Sequence, residues 1–129
     1  MSDFKNLIVW RKAHALALNV RRVACRIRGA DDVPLRGQMI RAALSIPTNL
    51  VEGAGQVSRK DFARFILIAL NSTTELEYHL IVARDVCAIS ELDFRSLTDQ
   101  TIEVRKMLHG LRNRVVSTPR LARDNVPQS

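Results

Sequence analysis

What the chain lacks narrows its possible roles. No apolar run in its 129 residues reaches the roughly 18 that a membrane span requires. The first apolar residues are interrupted by Arg11 and Lys12, which does not suit a signal peptide, so a cytoplasmic protein with no membrane partner is expected. Only two cysteines occur, Cys25 and Cys87, with no partner spacing for zinc; both fall in apolar positions of helical patterns and read as buried, reduced thiols. One Trp, one Tyr and four Phe, mostly at core-type positions, supply no platform on which bases could stack. No segment alternates apolar and polar residues between turn signals, so no strand is expected. Acidic residues are in deficit: 13 against 20 basic ones give a formal charge of +7, rich in arginine, whose planar fork suits phosphate and carboxylate. A polyanion is therefore a candidate partner.

The chain is rich in helical periodicity. Val9, Ala13, Leu16, Val20, Val23 and Ile27 step alternately by four and three and share one stripe, predicting a helix over 6–28 that Gly29 ends. Asp31 or Asp32 is placed to cap a second helix over 33–52, with Pro34 in its first turn and a stripe of Leu35, Met39, Ala42, Ile46 and Leu50. Ser58 with Asp61 is a capping-box variant opening a third helix over 59–87, striped by Phe62, Ile66, Ala69, Thr73, Leu76, Leu80, Ala83 and Cys87. Ser90 caps a fourth over 91–116, where Leu97, Thr101, Val104, Leu108, Leu111 and Val115 repeat the rhythm. Residues 117–129 read as a flexible tail. Short connections make the helices antiparallel neighbours, so the expected fold is all-α, an up-down-up-down four-helix bundle in a single domain over 1–116.

The stretch SIPTNLVEGAG, Ser45–Gly55, places Pro47 inside the second helix at a cost of ~3 kcal/mol if nothing compensates. A restart at Pro47 would leave only about six residues before Gly53, too few to stand alone, so a proline-kinked continuous helix is expected. Small Ala42 and Ala43 leave room for the bend, Ser45 or Thr48 can bond freed carbonyls, and Asn49 and Glu52 are polar groups placed for the same purpose. Gly53 and Gly55 then read as a left-handed cap and a turn. The following GAGQVS lacks the third glycine and preceding strand of a dinucleotide loop and the Gly-Lys-Ser/Thr of a P-loop.

The third helix carries surplus apolar faces: Ala63, Leu67, Leu70 and Ile81 on one flank, Ile68, Val82 and Val86 on another. A helix apolar around most of its circumference is usually interior, so burial against further copies in a homo-oligomer is expected.

Glu75 and His79 lie one turn apart, and Glu52 can approach from the second helix. This is not the Glu-x-x-His spacing of di-iron bundles, and only one half is present, which favours a structural polar network over a metal site. His14 and His109 have no carboxylate at ligand spacing. No nucleophile–base constellation is evident, so no catalytic residue and no cofactor is assigned. The basic residues are better organised. Arg11, Lys12, Arg22 and Arg26 occupy an arc of about 100° beside the first core stripe. Arg21 and Arg28 form a second column, and Arg105, Lys106, Arg112 and Arg114 load the end of the fourth helix, where cations also complement the helix dipole. Arg59 and Lys60, next to Ser58, stand where a helix N-terminus can hold a phosphate.

Phe4, Leu7, Val9, Trp10 and Ala13, RAALSIPTNLVEG over Arg41–Gly53, and DFARFILIALNSTTELEYHL over Asp61–Leu80 together resemble the four-helix-bundle proteins of intervening sequences in bacterial 23S ribosomal RNA genes. The signature lies in Ser45, Ile46, Pro47, Asn49, Glu52 and Gly53, with Glu75 and Glu77 in the ELE segment. The resemblance implies a four-helix bundle assembling as a homopentamer, with no known enzymatic activity. The family is more distantly similar to the accessory variability determinant proteins of diversity-generating retroelements, basic pentamers that associate with a reverse transcriptase and nucleic acid. Departures from the pattern are Cys87 and Ala88, where a glycine often closes the third helix, and Thr73 at a core position.

The leading reading is a non-enzymatic, homo-oligomeric accessory protein that binds RNA backbone through Arg11, Lys12, Arg22, Arg26, Arg59, Lys60, Arg112 and Arg114. The alternative is a homo-oligomeric scaffold or protein-interaction module whose charge only solubilises it. A metal-dependent enzyme using Glu52, Glu75 and His79 is a third class.

Overall fold

The computed structural model describes residues 3–117. A single 3-10 turn at Phe4–Asn6 leads into four helices: α1 (Ile8–Ala24), α2 (Val33–Ala54), α3 (Arg59–Asp85) and α4 (Glu91–Ser117). Each packs on the next, and α4 returns to α1; the α2–α3 contact is the most extensive and the α1–α4 contact the least. Neighbours run antiparallel: Leu7–Val9 at the start of α1 share a cleft with Gly110, Leu111 and Arg114 toward the end of α4, Lys12 pairs with Glu103 midway along α4, and Arg26, just past α1, pairs with Asp93 in the first turn of α4. The tail expected over 117–129 lies outside the described residues apart from Ser117, which ends α4.

The stripes enclose one core. Val9, Ala13, Leu16, Val20, Val23 and Ile27 are buried together with Met39, Ala42, Ile46, Leu50, Phe62, Ile66, Leu76, Leu80, Val104 and Leu108. Thr73 and Thr101, fully buried, turn their hydroxyls back to the carbonyls of Leu70 and Leu97, both at 2.7 Å, so a polar atom sits in the core with its donor satisfied. Ser58 and Ser90 cap as expected, their hydroxyls accepting from the amides of Asp61 at 3.1 Å and Asp93 at 3.0 Å. Asp32 occupies the N-cap of α2 without a side-chain cap bond.

Several boundaries differ from the sequence expectation. The first helix begins two residues late because Leu7 is extended (φ −78°, ψ 121°) between the 3-10 turn and α1. It ends early because the amides of Arg26 and Ile27 donate to the carbonyls three residues back, Val23 and Ala24, and tighten the last turn; Ile27 stays buried beyond the helix proper. Gly29, at φ 97°, then reverses the chain.

Cys25 and Cys87, expected to be buried, are both exposed. Cys25, at the C-cap of α1, keeps a helical backbone but lies off the stripe, between Val23 and Ile27, whereas Cys87 follows the end of α3 at Asp85 with a left-handed backbone. The glycines of the GAG segment are not a left-handed cap either. Gly53 lies inside α2, and Gly55 closes it in a right-handed conformation (φ −84°, ψ −4°).

The left-handed residue after a helix is Cys87, at φ 61°. The amide of Ala88 reaches the Ala83 carbonyl at 2.8 Å and that of Cys87 reaches Arg84 at 2.9 Å, the double bond of a Schellman motif. A side chain with a Cβ is disfavoured there by roughly 1–2 kcal/mol relative to glycine. Cys87→Gly is therefore expected to stabilise the protein by about 1 kcal/mol, read as a higher urea midpoint at unchanged slope.

α2 runs unbroken through buried Pro47. Beside it, the Asn49 amide donates to the Ser45 carbonyl at 2.8 Å and to the Ser45 hydroxyl at 3.0 Å. The Ser72 hydroxyl, on α3, lies 2.8 Å from the Ser45 hydroxyl and 3.1 Å from the Ile68 carbonyl. Thr48 and Glu52 are exposed and take no part in this triad; only the Glu52 backbone carbonyl is engaged, by Gln56 at 3.1 Å.

Candidate nucleic-acid interface

The basic residues named from sequence separate into two groups. Arg11, Lys12 and Arg22 lie on α1 and Arg26 just past its end; each is engaged, and Lys12 and Arg26 reach across to α4. Arg11 donates to the Lys5 carbonyl at 3.1 Å, and Arg22 to Asn19 at 2.6 Å. Lys12 pairs with Glu103 at 3.3 Å and Arg26 with Asp93 at 2.9 Å. Asn19 donates to Gln100 at 2.7 Å, so polar contacts accompany the whole seam. This strip spends part of its charge holding the bundle closed.

The second group converges. The first turns of α3 bring Arg59, Lys60 and Arg64 beside Arg112 of α4, because antiparallel packing sets the start of one helix against the end of the other. They line a cleft of about 450 Å³ with Ala63, Leu67, Val115 and Val116. Among the described residues Lys60 and Arg112 have no ion pair, and the Nε of Arg112 is buried without a hydrogen-bond partner. Arg64 reaches the Asp61 carboxylate only at 3.9 Å and lies over the Phe65 ring at 4.5 Å. A partly desolvated guanidinium lacking an acceptor favours an incoming anion. Arg64 was missed in the sequence, although Lys60, Arg64 and Leu67 step by four and three along one face. Arg114 belongs elsewhere, in a cleft of about 460 Å³ between the start of α1 and the end of α4, with Leu7, Met107 and Gly110.

The Glu75–His79 contact is present at 3.4 Å. Among the described residues no three His, Cys, Asp or Glu side chains come together where a metal could bind, so Glu52 does not complete the set considered from sequence. Glu77 instead bonds Arg105 of α4 at 2.8 Å, both side chains roughly a third exposed. A double-mutant cycle on Glu77→Ala and Arg105→Ala is expected to give a coupling of about 1 kcal/mol by chemical denaturation, the upper end for a partly solvated pair.

Of the surplus apolar residues on α3, Ala63 and Leu70 are buried within the bundle, whereas Leu67, Ile81 and Val86 are exposed. Leu44 of α2 and Tyr78 of α3 are exposed as well, Tyr78 at 62%. The aromatics are less interior than their spacing suggested: Phe62 alone among the described Phe, Tyr and Trp residues is buried, and exposed His14 stacks on half-buried Trp10 at 5.1 Å.

No helix among the described residues is long and apolar enough to cross a membrane. The architecture is an all-α four-helix bundle. The model of the 23S rRNA-intervening sequence protein family matches residues 5–110, and the chain belongs to that family. The crystal structure of a protein of unknown function from the S23 ribosomal protein family of Bacteroides thetaiotaomicron is similar in fold. Its TM-score is 0.75 at 23% identity, over 81% of this chain and 98% of that one. No curated protein matches the chain significantly.

Proposed function

We propose that the protein is a homo-oligomeric, RNA-associated accessory bundle that grips phosphate backbone through the α3–α4 cleft. The observation that carries this reading is the convergence of Arg59, Lys60, Arg64 and Arg112 on one concave surface, two of them without an ion pair among the described residues. The α1 strip adds long-range attraction, since its paired cations still contribute to the field of a protein carrying +7. Exposed Leu44, Tyr78 and Ile81 support self-association, and a homopentamer is the assembly we favour; the likeness to retroelement accessory proteins enters by analogy only. A cytoplasmic setting fits an RNA ligand.

Retention of structured RNA by purified protein across a salt series tests the reading. Log affinity is expected to fall linearly with log salt, by roughly 0.7–0.9 per phosphate neutralised. No retention at ~50 mM salt would leave a scaffold role in front, and a monomeric mass by light scattering at micromolar concentration would remove the oligomer.

A further inference from the structure

We infer that the α3–α4 cleft is a receptor for one unpaired terminal nucleotide carrying a phosphomonoester, rather than for the continuous backbone of a duplex. The inference deepens the RNA reading by assigning the part of the strand that enters. Three features lead to it.

The first is shape. A concave cleft of about 450 Å³ falls in the size range of small-ligand sites, whereas a duplex offers a broad convex face that cannot enter it. The second is charge. Four cations from two helices line it, and among the described residues Lys60 and Arg112 have no ion pair while Arg64 reaches Asp61 only at 3.9 Å. An internal phosphodiester carries one negative charge, while a terminal phosphomonoester carries about 1.5–2 and three acceptor oxygens. The site is matched to the terminus. The third is the apolar wall: Ala63, Leu67, Val115 and Val116 line the same space. Backbone binding alone has no use for such a surface, but the face of an unstacked base does. Arg64, held over the Phe65 ring at 4.5 Å, adds a planar guanidinium of the kind on which bases stack. An acidic partner helix would need a long groove with anchors one and two turns apart, which a compact cleft does not supply.

The test uses the full chain and fluorescence anisotropy with short single-stranded RNA of one sequence bearing a 5′-phosphate, a 3′-phosphate or hydroxyls at both ends. A phosphorylated end is expected to bind about 5–10-fold more tightly than the hydroxyl form at ~0.1 M salt, the value of one added contact. The two phosphorylated arms tell which end is received. Adenosine monophosphate should compete, and Lys60→Ala with Arg112→Ala should erase the end preference while leaving weak binding; Arg64→Ala serves as a second variant if Arg112→Ala perturbs the circular dichroism.

Equal affinity of all three RNAs, with normal salt dependence, would overturn the inference and leave the RNA reading intact. Displacement by polyglutamate as effective as by the mononucleotide would also overturn it. Failure to retain structured RNA, with mononucleotide binding lost in the Lys60 and Arg112 variants, would sink the RNA reading and uphold the cleft.

Discussion

Replacing Gly53 by alanine is expected to destabilise the bundle by about 2 kcal/mol, although in an unencumbered helix the same change would add roughly 0.5–1 kcal/mol. The sign is set by packing. A Cβ on Gly53 would lie 2.8 Å from Cδ1 of Phe62 and 2.9 Å from Cβ of Phe65. The Phe62 ring can turn a little, but the Phe65 Cβ is fixed to the α3 backbone, so α2 and α3 would have to part where they begin to pack. Gly37, in the same helix, meets nothing within 4 Å. Gly37→Ala is the internal control and should raise stability by ~0.5–1 kcal/mol. Opposite shifts of the urea midpoint would establish that Gly53 is there for close approach; a gain in both would refute it.

Neutralising the cleft, with Lys60→Gln and Arg112→Gln, is expected to lower affinity for RNA by about 30-fold at ~0.1 M salt and to reduce the salt slope by about two contacts. The matched change on the other strip, Lys12→Gln with Arg26→Gln, should cost several-fold less. Those two cations already face Glu103 and Asp93, and their removal also frees these carboxylates to repel the ligand only from the side of the bundle. Their replacement should show instead as weaker stability of the α1–α4 seam, by less than ~1 kcal/mol per pair. Equal losses from both strips would mean that binding follows total charge and not the cleft.

The core was legible because it depends on spacing alone: residues such as Leu16, Ile46, Ile66 and Leu108 sit on stripes that any antiparallel packing must bury. The serine caps were legible for the same local reason. What escaped depends on partners distant in sequence. Gly53 looked like a turn glycine because its constraint comes from the Phe62 and Phe65 side chains, and Cys87 looked like core because the stripe does not announce the residue at which helical geometry ends. Of the cleft, Arg59, Lys60 and Arg112 were visible singly, but their meeting and the inclusion of Arg64 required knowing that α3 and α4 lie side by side.

The Ser45–Asn49–Ser72 triad has a consequence for how the bundle avoids misassembly. Stripes that repeat by four and three look much the same after a slide of one turn, about 5.4 Å along the axis. Sliding α3 past α2 by that distance would break the one bond of the triad that crosses between helices, Ser72 to Ser45, at a cost of about 1 kcal/mol, while the bonds from Asn49 to Ser45 stay within α2. The triad therefore works as an index mark that selects one alignment among near-equivalent ones, and the close approach at Gly53 tolerates the same alignment alone.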